Sequence, residues 1–331
     1  MRDFFPVPPR PFAALAFAAA LLAGASAEAK GGAAGWGDCR STDPDKRIAG
    51  CSLVITQIAK ETPHNKIAAY SNRGGAYQIR GDHDHAIEDL TKALELSPKS
   101  ATLLASRAGS YRAKGDLDKA IADFDAAIAA APKSATAFYG RGAAHQVKGD
   151  LDKALADFSQ SATFDKKYAP AFVARAGVYR LKGDEEKALA DLTAAVDADK
   201  KSAAGPIARG AFYQGKGDFD HALEDFSEAV KREPKLALGH SDRGLAFQAK
   251  NDLDHALEEF NEAIKLDPKS AAAFLNRANA YRGKHDLEHA KDDLEEALKL
   301  KPDLASAKKA LDDVTKRLEK KASAAPAPAA K

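Results

Sequence analysis

The sequence predicts an all-α fold, a solenoid of seven helical hairpins with a capping helix at each end. The main observation is a Gly-Asp pair or its equivalent that recurs every 34 residues, at Gly81, Gly115, Gly149, Gly183, Gly217, Asn251 and His285. Small and bulky residues around each recurrence follow spacings of three and four, so they form one stripe on each helix. A fixed period of this length is typical of stacked helical hairpins.

Composition narrows the classes of function. The 331 residues carry 50 Lys and Arg against 48 Asp and Glu, a formal net charge of +2. A dedicated nucleic-acid-binding protein would show a concentrated basic excess, so we do not expect nucleic acid as a partner. The chain contains no uninterrupted apolar run of the length that spans a bilayer, and the sequence therefore predicts no permanent membrane span.

Residues 1–27 have the pattern of a secretory signal peptide. Two arginines precede an uncharged apolar stretch from Phe12 to Ala25, and an A-x-A exit ends at Ala27. This order of basic, apolar and small residues is typical of exported proteins, and it fits a buried N-terminal helix poorly. We expect a soluble protein that is periplasmic or secreted after cleavage following Ala27 or Ala29.

Residues 28–66 are predicted to cap the first hairpin as a half repeat. The segment DPDKRIAGCSLVI, from Asp43, aligns with the second-helix sequence DLDKAIADFDAAI. Cys39 and Cys51 are the only cysteines in the chain. In an oxidising compartment such a pair forms a disulfide, which would hold the segment around Trp36 over the first helix. Two free thiols or half of a metal site are the alternatives.

Seven units of 34 residues follow, with the bounds 67–100, 101–134, 135–168, 169–202, 203–236, 237–270 and 271–304. Each unit has a small residue such as Gly142, an aromatic residue or histidine three positions later, and a bulky residue such as Phe158 after the turn. Small residues permit close helix approach, and large ones fill the gap beside them. The turn glycine is predicted to end the first helix in a left-handed conformation. His285, at the same position in the last unit, tolerates this conformation less well. The Asp that follows the turn residue is predicted to cap the second helix.

These rows resemble the tetratricopeptide repeat (TPR), whose signature is small–aromatic–Ala–bulky–Ala–Pro at the same spacings. Seven copies in register make the resemblance specific. It implies antiparallel helix pairs stacked into a right-handed superhelix, whose first helices line a concave groove that binds partner proteins. Gly205-Pro206 departs from the pattern. We expect this proline to shorten or delay its helix, and either to bend the array or to be absorbed without a bend.

Every unit also carries an arginine that is followed sixteen residues later by an acid. The arginines are Arg73, Arg107, Arg141, Arg175, Arg209, Arg243 and Arg277. Because both positions are equally far from the turn, they stand at equal height on facing helices. We expect a structural ladder of exposed Arg–carboxylate pairs, each stabilising by less than about 1 kcal/mol. The alternative is a functional, anion-binding row of arginines.

The resemblance implies that the groove is lined by the residue after the aromatic row, namely Gln78, Arg112, Gln146, Arg180, Gln214, Gln248 and Arg282. Gln and Arg without an intervening acid suit hydrogen bonding to the backbone or the carboxylates of an extended peptide. Tyr139, Val173 and Ile207 form an apolar run in the middle units. We expect this run to anchor side chains of a partner; the alternative is that the three residues pack between neighbouring repeats.

Residues 305–321 are predicted to form a charged amphipathic capping helix, and the Ala/Pro-rich residues 322–331 to be disordered. The chain has no nucleophile elbow, phosphate-binding loop or H-E-x-x-H motif, so we expect neither an enzyme nor a cofactor or metal.

The sequence thus favours a non-catalytic scaffold or adaptor of the cell envelope that binds a partner polypeptide, in an extended or helical conformation, in the groove. Two alternatives stay open: a component of an envelope-assembly or polysaccharide-export complex, and a module that binds a small ligand or glycan. No feature of the sequence indicates an oligomeric state.

Overall fold

The computed structural model describes residues 35–324, and helices account for all of their regular secondary structure. The all-helical fold predicted from the sequence is confirmed across these residues. The chain divides into two compact units, one ending at Lys166 and the other beginning at Lys167. Between residues 35 and 324, no helix is long and apolar enough to cross a membrane. The predicted signal peptide, residues 1–27, and the residues after Ala324 lie outside the described part.

The first unit begins with a short cap and continues with three hairpins, α3–α4, α5–α6 and α7–α8. A 3₁₀ helix at Ile58–Lys60 connects the cap to the first hairpin. The α-helices described in this unit are α1 Trp36–Cys39, α2 Pro44–Thr56, α3 Pro63–Arg80, α4 His83–Leu96, α5 Ala101–Lys114, α6 Leu117–Ala130, α7 Ala135–Lys148 and α8 Leu151–Phe164.

The second unit contains four hairpins, α9–α10, α11–α12, α13–α14 and α15–α16, followed by one longer helix. The α-helices described in this unit are α9 Ala169–Leu181, α10 Glu185–Ala198, α11 Ala204–Gly215, α12 Phe219–Arg232, α13 Ala237–Ala249, α14 Leu253–Leu266, α15 Ala271–Gly283, α16 Leu287–Leu300 and α17 Ala305–Ala324. The last helix extends three residues beyond the predicted end at residue 321, into the segment that was predicted to be disordered.

The tight turn inside each hairpin uses a left-handed residue, as the sequence predicts. Five of these residues are glycines, such as Gly149 with a φ of 85°. Asn251 and His285 adopt the same conformation, with φ values of 63° and 62°. The aspartate cap of the second helix is confirmed where the carboxylate accepts a backbone N–H three residues on, at Asp82, Asp184, Asp218, Asp252 and Asp286. At Asp116 and Asp150 the side chain makes no such bond.

Close packing of small against bulky residues forms the interior of each hairpin. A Cβ added to Gly142 on α7 would come within 2.9 Å of the Phe158 ring on α8, so only glycine fits there without a shift. Gly244 and Phe260 have the same relationship in the second unit, at 2.7 Å. Both phenylalanines are fully buried. The predicted small and bulky rows therefore form the core.

The predicted Arg–carboxylate ladder is confirmed, but its acids are buried rather than exposed. Six arginines donate from Nε and Nη2 to both oxygens of one aspartate, at 2.6–2.9 Å, in the pairs Arg73–Asp89, Arg107–Asp123, Arg141–Asp157, Arg175–Asp191, Arg209–Asp225 and Arg277–Asp293. Since these donors are already bound to carboxylates, the row is structural and the anion-binding alternative is wrong.

Additional helices cover both ends of the described chain. Cys39 and Cys51 form a disulfide in which both residues are fully buried. With Trp36 and Val54 they form a small core that packs against α3 at Ala69. At the other end, α17 buries Val314 and neighbouring alanines against α16. The two caps remove apolar surface from water that a terminal repeat would otherwise expose.

The start of α11 shows the predicted effect of Pro206. A register of 34 residues from Ala169 would start the helix at Ala203, and it begins at Ala204 and spans 12 residues. Arg232, at the end of α12, supports the preceding connection by donating from Nη1 to the carbonyl oxygens of Val196, Asp199 and Ser202 at 2.9–3.2 Å. Nothing in the repeat pattern indicates this role of Arg232.

Candidate functional site

The residue after each aromatic position lies on a first helix and is directed away from the partner helix of its own hairpin. The aromatic residue itself packs against the second helix of its own hairpin: the Tyr77 ring stacks on the His85 ring of α4, with centroids 5.0 Å apart. Successive residues on a helix point about 100° apart. We call the set that follows the aromatic residues the polar row; it comprises Gln78, Arg112 and Gln146 in the first unit and Arg180, Gln214, Gln248 and Arg282 in the second.

In the first unit, Gln78 joins two first helices. Its Nε2 donates to the carbonyl oxygen of Ser106 at 2.7 Å and to Oγ of Ser110 at 2.8 Å, both on α5. The α5 helix in turn packs beside α7. The first helices of this unit therefore form a continuous surface, and both N–H donors of Gln78 are used to hold it together.

Arg112 on α5 and Tyr139 on α7 both belong to these first helices. The Tyr139 ring is half-buried and tilts against the Phe158 ring, with centroids 5.7 Å apart. Burial raises the pKa of the Tyr139 hydroxyl, and the positive charge of Arg112 partly offsets this rise. Gln146 is half-buried on α7. The first-helix surface of this unit therefore carries a guanidinium and a phenol, groups of the kind that form hydrogen bonds to peptides.

In the second unit the two arginines of the polar row have different environments. Arg180 is exposed, and its guanidinium carbon lies 5.9 Å from the centroid of the Phe212 ring. Arg282 donates to Oδ1 of Asn279 and to Oδ2 of Asp313 on α17, each at 3.0 Å. The capping helix thus takes part of the hydrogen-bonding capacity of Arg282. Gln214 and Gln248 are half-buried.

The apolar run proposed as an anchor is only partly accessible. Val173 is half-buried and packs against the core of α9 to α11. Ile207 is 4% exposed, in a cluster with Ala229, with Leu236 of the next connection and with Leu238 on α13. The prediction that Ile207 contacts a partner is therefore wrong, and the alternative of packing between repeats holds for it. Tyr139 and Val173 stay candidates.

A second row, which the sequence analysis missed, lies one residue further along the first helices. We call it the apolar row. Ile79 is 50% exposed, Val147 66% and Leu181 65%, the highest values among the exposed large apolar side chains of the described chain. The equivalent residues in the other hairpins are Ala113, Gly215, Ala249 and Gly283. Because glycine and alanine interrupt the row, its periodic signal in the sequence is weak.

No metal centre is formed by the described residues: between residues 35 and 324, no group of three or more His, Cys, Asp or Glu side chains is placed to hold an ion. The chemistry available on the first helices is hydrogen bonding by amide, guanidinium and phenol groups beside exposed apolar side chains.

Tetratricopeptide repeats are recognised in this chain. Models described as tetratricopeptide repeat match residues 67–100 and 271–304, and a model described as TPR repeat matches residues 109–149 and 246–284. The first two segments have the same bounds as the first and last units read from the sequence. The family models thus recognise tetratricopeptide repeats in segments of both compact units, and the helical hairpins described above have the fold of such repeats.

Solved structures show the same fold. Yeast Tom70 matches with a TM-score of 0.68 at 19% identity, over 85% of this chain and 62% of that chain. The APC/C hetero-tetramer Cut9-Hcn1 matches with a TM-score of 0.57 at 15% identity, over 82% of this chain and 53% of that one. A tetratricopeptide repeat protein from Parabacteroides merdae matches with a TM-score of 0.53 at 17% identity, over 76% and 99%.

At these identities the similarity concerns the fold alone. The chain spans about half the length of the Cut9-Hcn1 chain that it matches. Among curated protein sequences, none matches this chain.

Proposed function

We propose that the protein is a non-catalytic scaffold that binds a segment of another polypeptide on the first-helix surface of its repeats. The observation that carries this proposal is the pairing of the two rows. Ile79 and Val147 are exposed large apolar side chains, and each directly follows a glutamine of the polar row. Exposed apolar side chains beside a few polar groups are typical of protein interaction sites.

The charge of the first-helix surface favours a peptide as the ligand. In the first unit the polar and apolar rows contain one cation, Arg112, and no acid. Such a surface can bind a backbone through the Gln146 amide and the amide oxygen of Gln78, and a carboxylate through Arg112. Hairpins with buried ion pairs and close-packed cores hold these groups in fixed positions, which lowers the entropic cost of binding.

We further propose that the protein works in the cell envelope. The basic, apolar and A-x-A segments of residues 1–27 support export, as does the buried disulfide between Cys39 and Cys51, since disulfides persist in oxidising compartments. N-terminal sequencing of the protein from its producing cell tests this proposal: a mature chain that begins after Ala27 or Ala29 supports it, and an intact N-terminus in the cytoplasm contradicts it.

Affinity capture from an envelope extract tests the binding surface. Wild-type protein is compared with an Ile79→Asp/Val147→Asp variant, because a carboxylate at these positions opposes an apolar partner without disturbing the core. Leu96→Asp is the matched control, since Leu96 is an exposed apolar residue on a second helix, 43% exposed. Circular dichroism establishes that all three proteins fold.

We expect the double variant to lose a protein that both the wild type and Leu96→Asp retain. Amide hydrogen exchange of the purified complex should then show protection on α3, α5 and α7. Capture of the same proteins by all three forms, or protection confined to second helices, would contradict the proposed surface.

A further inference from the structure

His240 lies in the first turn of α13, with its ring held between two hydrogen-bond acceptors. Nδ1 is 2.9 Å from Oε2 of Glu259 on α14, and Nε2 is 3.0 Å from the carbonyl oxygen of Pro234 in the connection from α12. The residue is 8% exposed. A carbonyl oxygen and an ionised carboxylate can only accept, whereas a neutral imidazole has one donor and one acceptor nitrogen.

Glu259 is held as a carboxylate in this arrangement. Its Oε1 accepts a hydrogen bond from Nη2 of Arg243, a pairing that a guanidinium forms with an ionised acid. Glu259 stands where the other hairpins have an aspartate with two hydrogen bonds from its arginine, and no described residue accepts from Nε of Arg243. The glutamate thus gives up one arginine contact and faces His240 instead. Both ring nitrogens of His240 then have to donate.

We propose that His240 is an imidazolium ion that latches the α12–α13 connection onto α14, and that this latch opens when the ring loses its second proton. We call the contacts from Glu259 and Pro234 to the His240 ring the histidine latch.

The sequence of this hairpin lacks the serine cap that precedes some of the other first helices. Ser134 and Ser270 cap α7 and α15 with their hydroxyl groups, whereas Leu236 precedes α13 without a side-chain cap. Phe274 stands at the position of His240 in the following hairpin. In place of a serine cap and an apolar ring, the α12–α13 connection is tied by the imidazole.

The other charged groups around this connection are bound elsewhere. Arg232 donates to the α10–α11 connection, and Glu233 accepts from the backbone N–H of Ala203. From α11 and α15, Arg209 and Arg277 are paired with the aspartates of their own hairpins. Asp242 lies two positions along α13 from His240, so the two side chains leave the helix on different sides. Glu259 is the charged group that contacts the ring, and Arg243 binds the same carboxylate.

The sign of the pH dependence follows from proton binding. The folded latch requires two protons on the ring, and the unfolded chain offers no partner that would retain the second one. The folded state therefore binds more protons near neutral pH, and the stability of the connection falls as pH rises. Loss of the second proton leaves either the Pro234 carbonyl or the Glu259 carboxylate facing a nitrogen without hydrogen.

Opening of the latch would also affect the surface of the second unit, because α13 carries Gln248 of the polar row. A partner held by α13 would then bind more weakly at high pH. This consequence rests on the proposed function, whereas the latch itself can be tested without any partner.

Nitrogen-15 NMR of the imidazole rings in the full chain tests the protonation state. The His240 signals are assigned by their loss in a His240→Phe variant. At about pH 7, where a solvated histidine is mostly neutral, we expect both ring nitrogens of His240 to carry a proton. In Glu259→Gln the side-chain amide can donate, and we expect a ring with one proton. A wild-type ring with a single proton at that pH would overturn the proposal.

Amide hydrogen exchange tests the opening. Between about pH 5.5 and pH 8.5, the range in which histidine changes charge, exchange of residues 233–240 should rise beyond the intrinsic pH effect. Residues 267–274, which hold Phe274 at the equivalent site, are the internal control.

The variant His240→Phe/Glu259→Asp restores the pair found in the last hairpin, and its two segments should respond to pH alike. Equal pH responses of both segments in the wild-type protein would contradict the latch. This comparison of two wild-type segments needs no variant, so it tests the latch even if the double variant fails to fold.

Discussion

Arg141 on α7 donates two hydrogen bonds to the carboxylate of Asp157 on α8, from Nε at 2.9 Å and from Nη2 at 2.7 Å. Its Nη1 reaches Asp125 on the preceding hairpin. The hydrogen bond to Asp157 raises the pKa of the Arg141 guanidinium. One side chain therefore ties three helices together, and this contact recurs along the chain with small variations.

We predict that Arg141→Ala lowers the free energy of unfolding by about 3 kcal/mol, because it leaves a buried carboxylate without its partner. Asp157 is 5% exposed, which distinguishes this pair from an ordinary surface ion pair. Urea unfolding of the full chain measures the effect. In a cycle with Asp157→Ala, the two changes should be coupled by more than about 1 kcal/mol, and additive effects would contradict a ladder.

Lys148→Ala is the matched control for this cycle. Lys148 pairs with Asp118 across the same hairpins, but both groups are accessible to water. We expect its removal to leave the unfolding midpoint unchanged within error.

Two glycines on first helices should respond oppositely to replacement by alanine. A Cβ at Gly140 would overlap the fully buried Phe124 ring, whereas one at Gly109 would meet nothing within 4 Å. We expect Gly140→Ala to destabilise by about 2 kcal/mol through overpacking. Gly109→Ala should stabilise by about 0.5–1 kcal/mol, because alanine lowers the entropic cost of the helix. Thermal unfolding of both variants measures these effects. A change of the same sign in the unfolding temperatures of both variants would be inconsistent with this packing.

His285→Gly should stabilise the protein by about 1 kcal/mol, since a left-handed conformation is unfavourable for a side chain with a Cβ. The residue ends α15 with a φ of 62°. Gly149→Ala, at the equivalent turn in the first unit, should destabilise by a similar amount. A loss of stability in His285→Gly would show that the imidazole makes a contact that outweighs the backbone strain.

Removal of the disulfide should weaken the N-terminal cap. We expect replacement of Cys39 and Cys51 by alanine to lower the free energy of unfolding by about 3 kcal/mol, the value for a loop of this length. A reducing agent should shift the urea midpoint of the wild type toward that of the variant and leave the variant unchanged. If reduction leaves the wild-type midpoint unaltered, the disulfide does not support the cap.

The histidines near the second-helix caps should give a small pH dependence. A hydrogen bond from His221 to Asp218 raises the pKa of His221 and lowers the pKa of Asp218. The contribution from His221 is therefore complete below its unfolded pKa of about 6.5 and is lost as pH rises through its folded pKa. The contribution from Asp218 is present above its unfolded pKa and is lost as pH falls through the lowered folded pKa.

An NMR titration of Asp218→Asn measures this contact, because asparagine keeps the helix cap but removes the charge. The pKa of His221 should fall toward its ordinary value. His255, which makes the same contact with Asp252, serves as the reference in the same sample and should not change. An unaltered pKa of His221 would show that Asp218 does not cause the shift.

Much of the fold could be predicted because the residues that each hairpin requires recur at the same positions in every unit. The ladder from Arg141 to Asp157 follows from spacing alone, since both residues are eight positions from the turn. Its burial does not, because the depth of Asp157 depends on how closely neighbouring hairpins pack. A glycine at position 142 does not by itself predict close packing of the helices. It does so only together with Phe158, which faces it on the partner helix.

The candidate site was harder to predict, because its residues are not required by the repeat. Ile207 belongs to the same row as Tyr139 but is buried, since Leu236 of the following connection and Leu238 on α13 pack against it. Ile79 and Val147 were missed because alanine and glycine take their place in other hairpins. The role of His240 depends on Glu259, whose one additional methylene group changes which donors the carboxylate meets.

Site-specific photo-cross-linking tests partner binding on the first helices most directly. A photoreactive amino acid is placed at Ala113, an exposed member of the apolar row on α5, and separately at Leu96 on α4. After illumination of each protein in the producing cell, we predict a cross-linked partner from position 113 and none from position 96. A partner joined only to position 96, or to neither position while capture still retains it, would contradict binding on this surface.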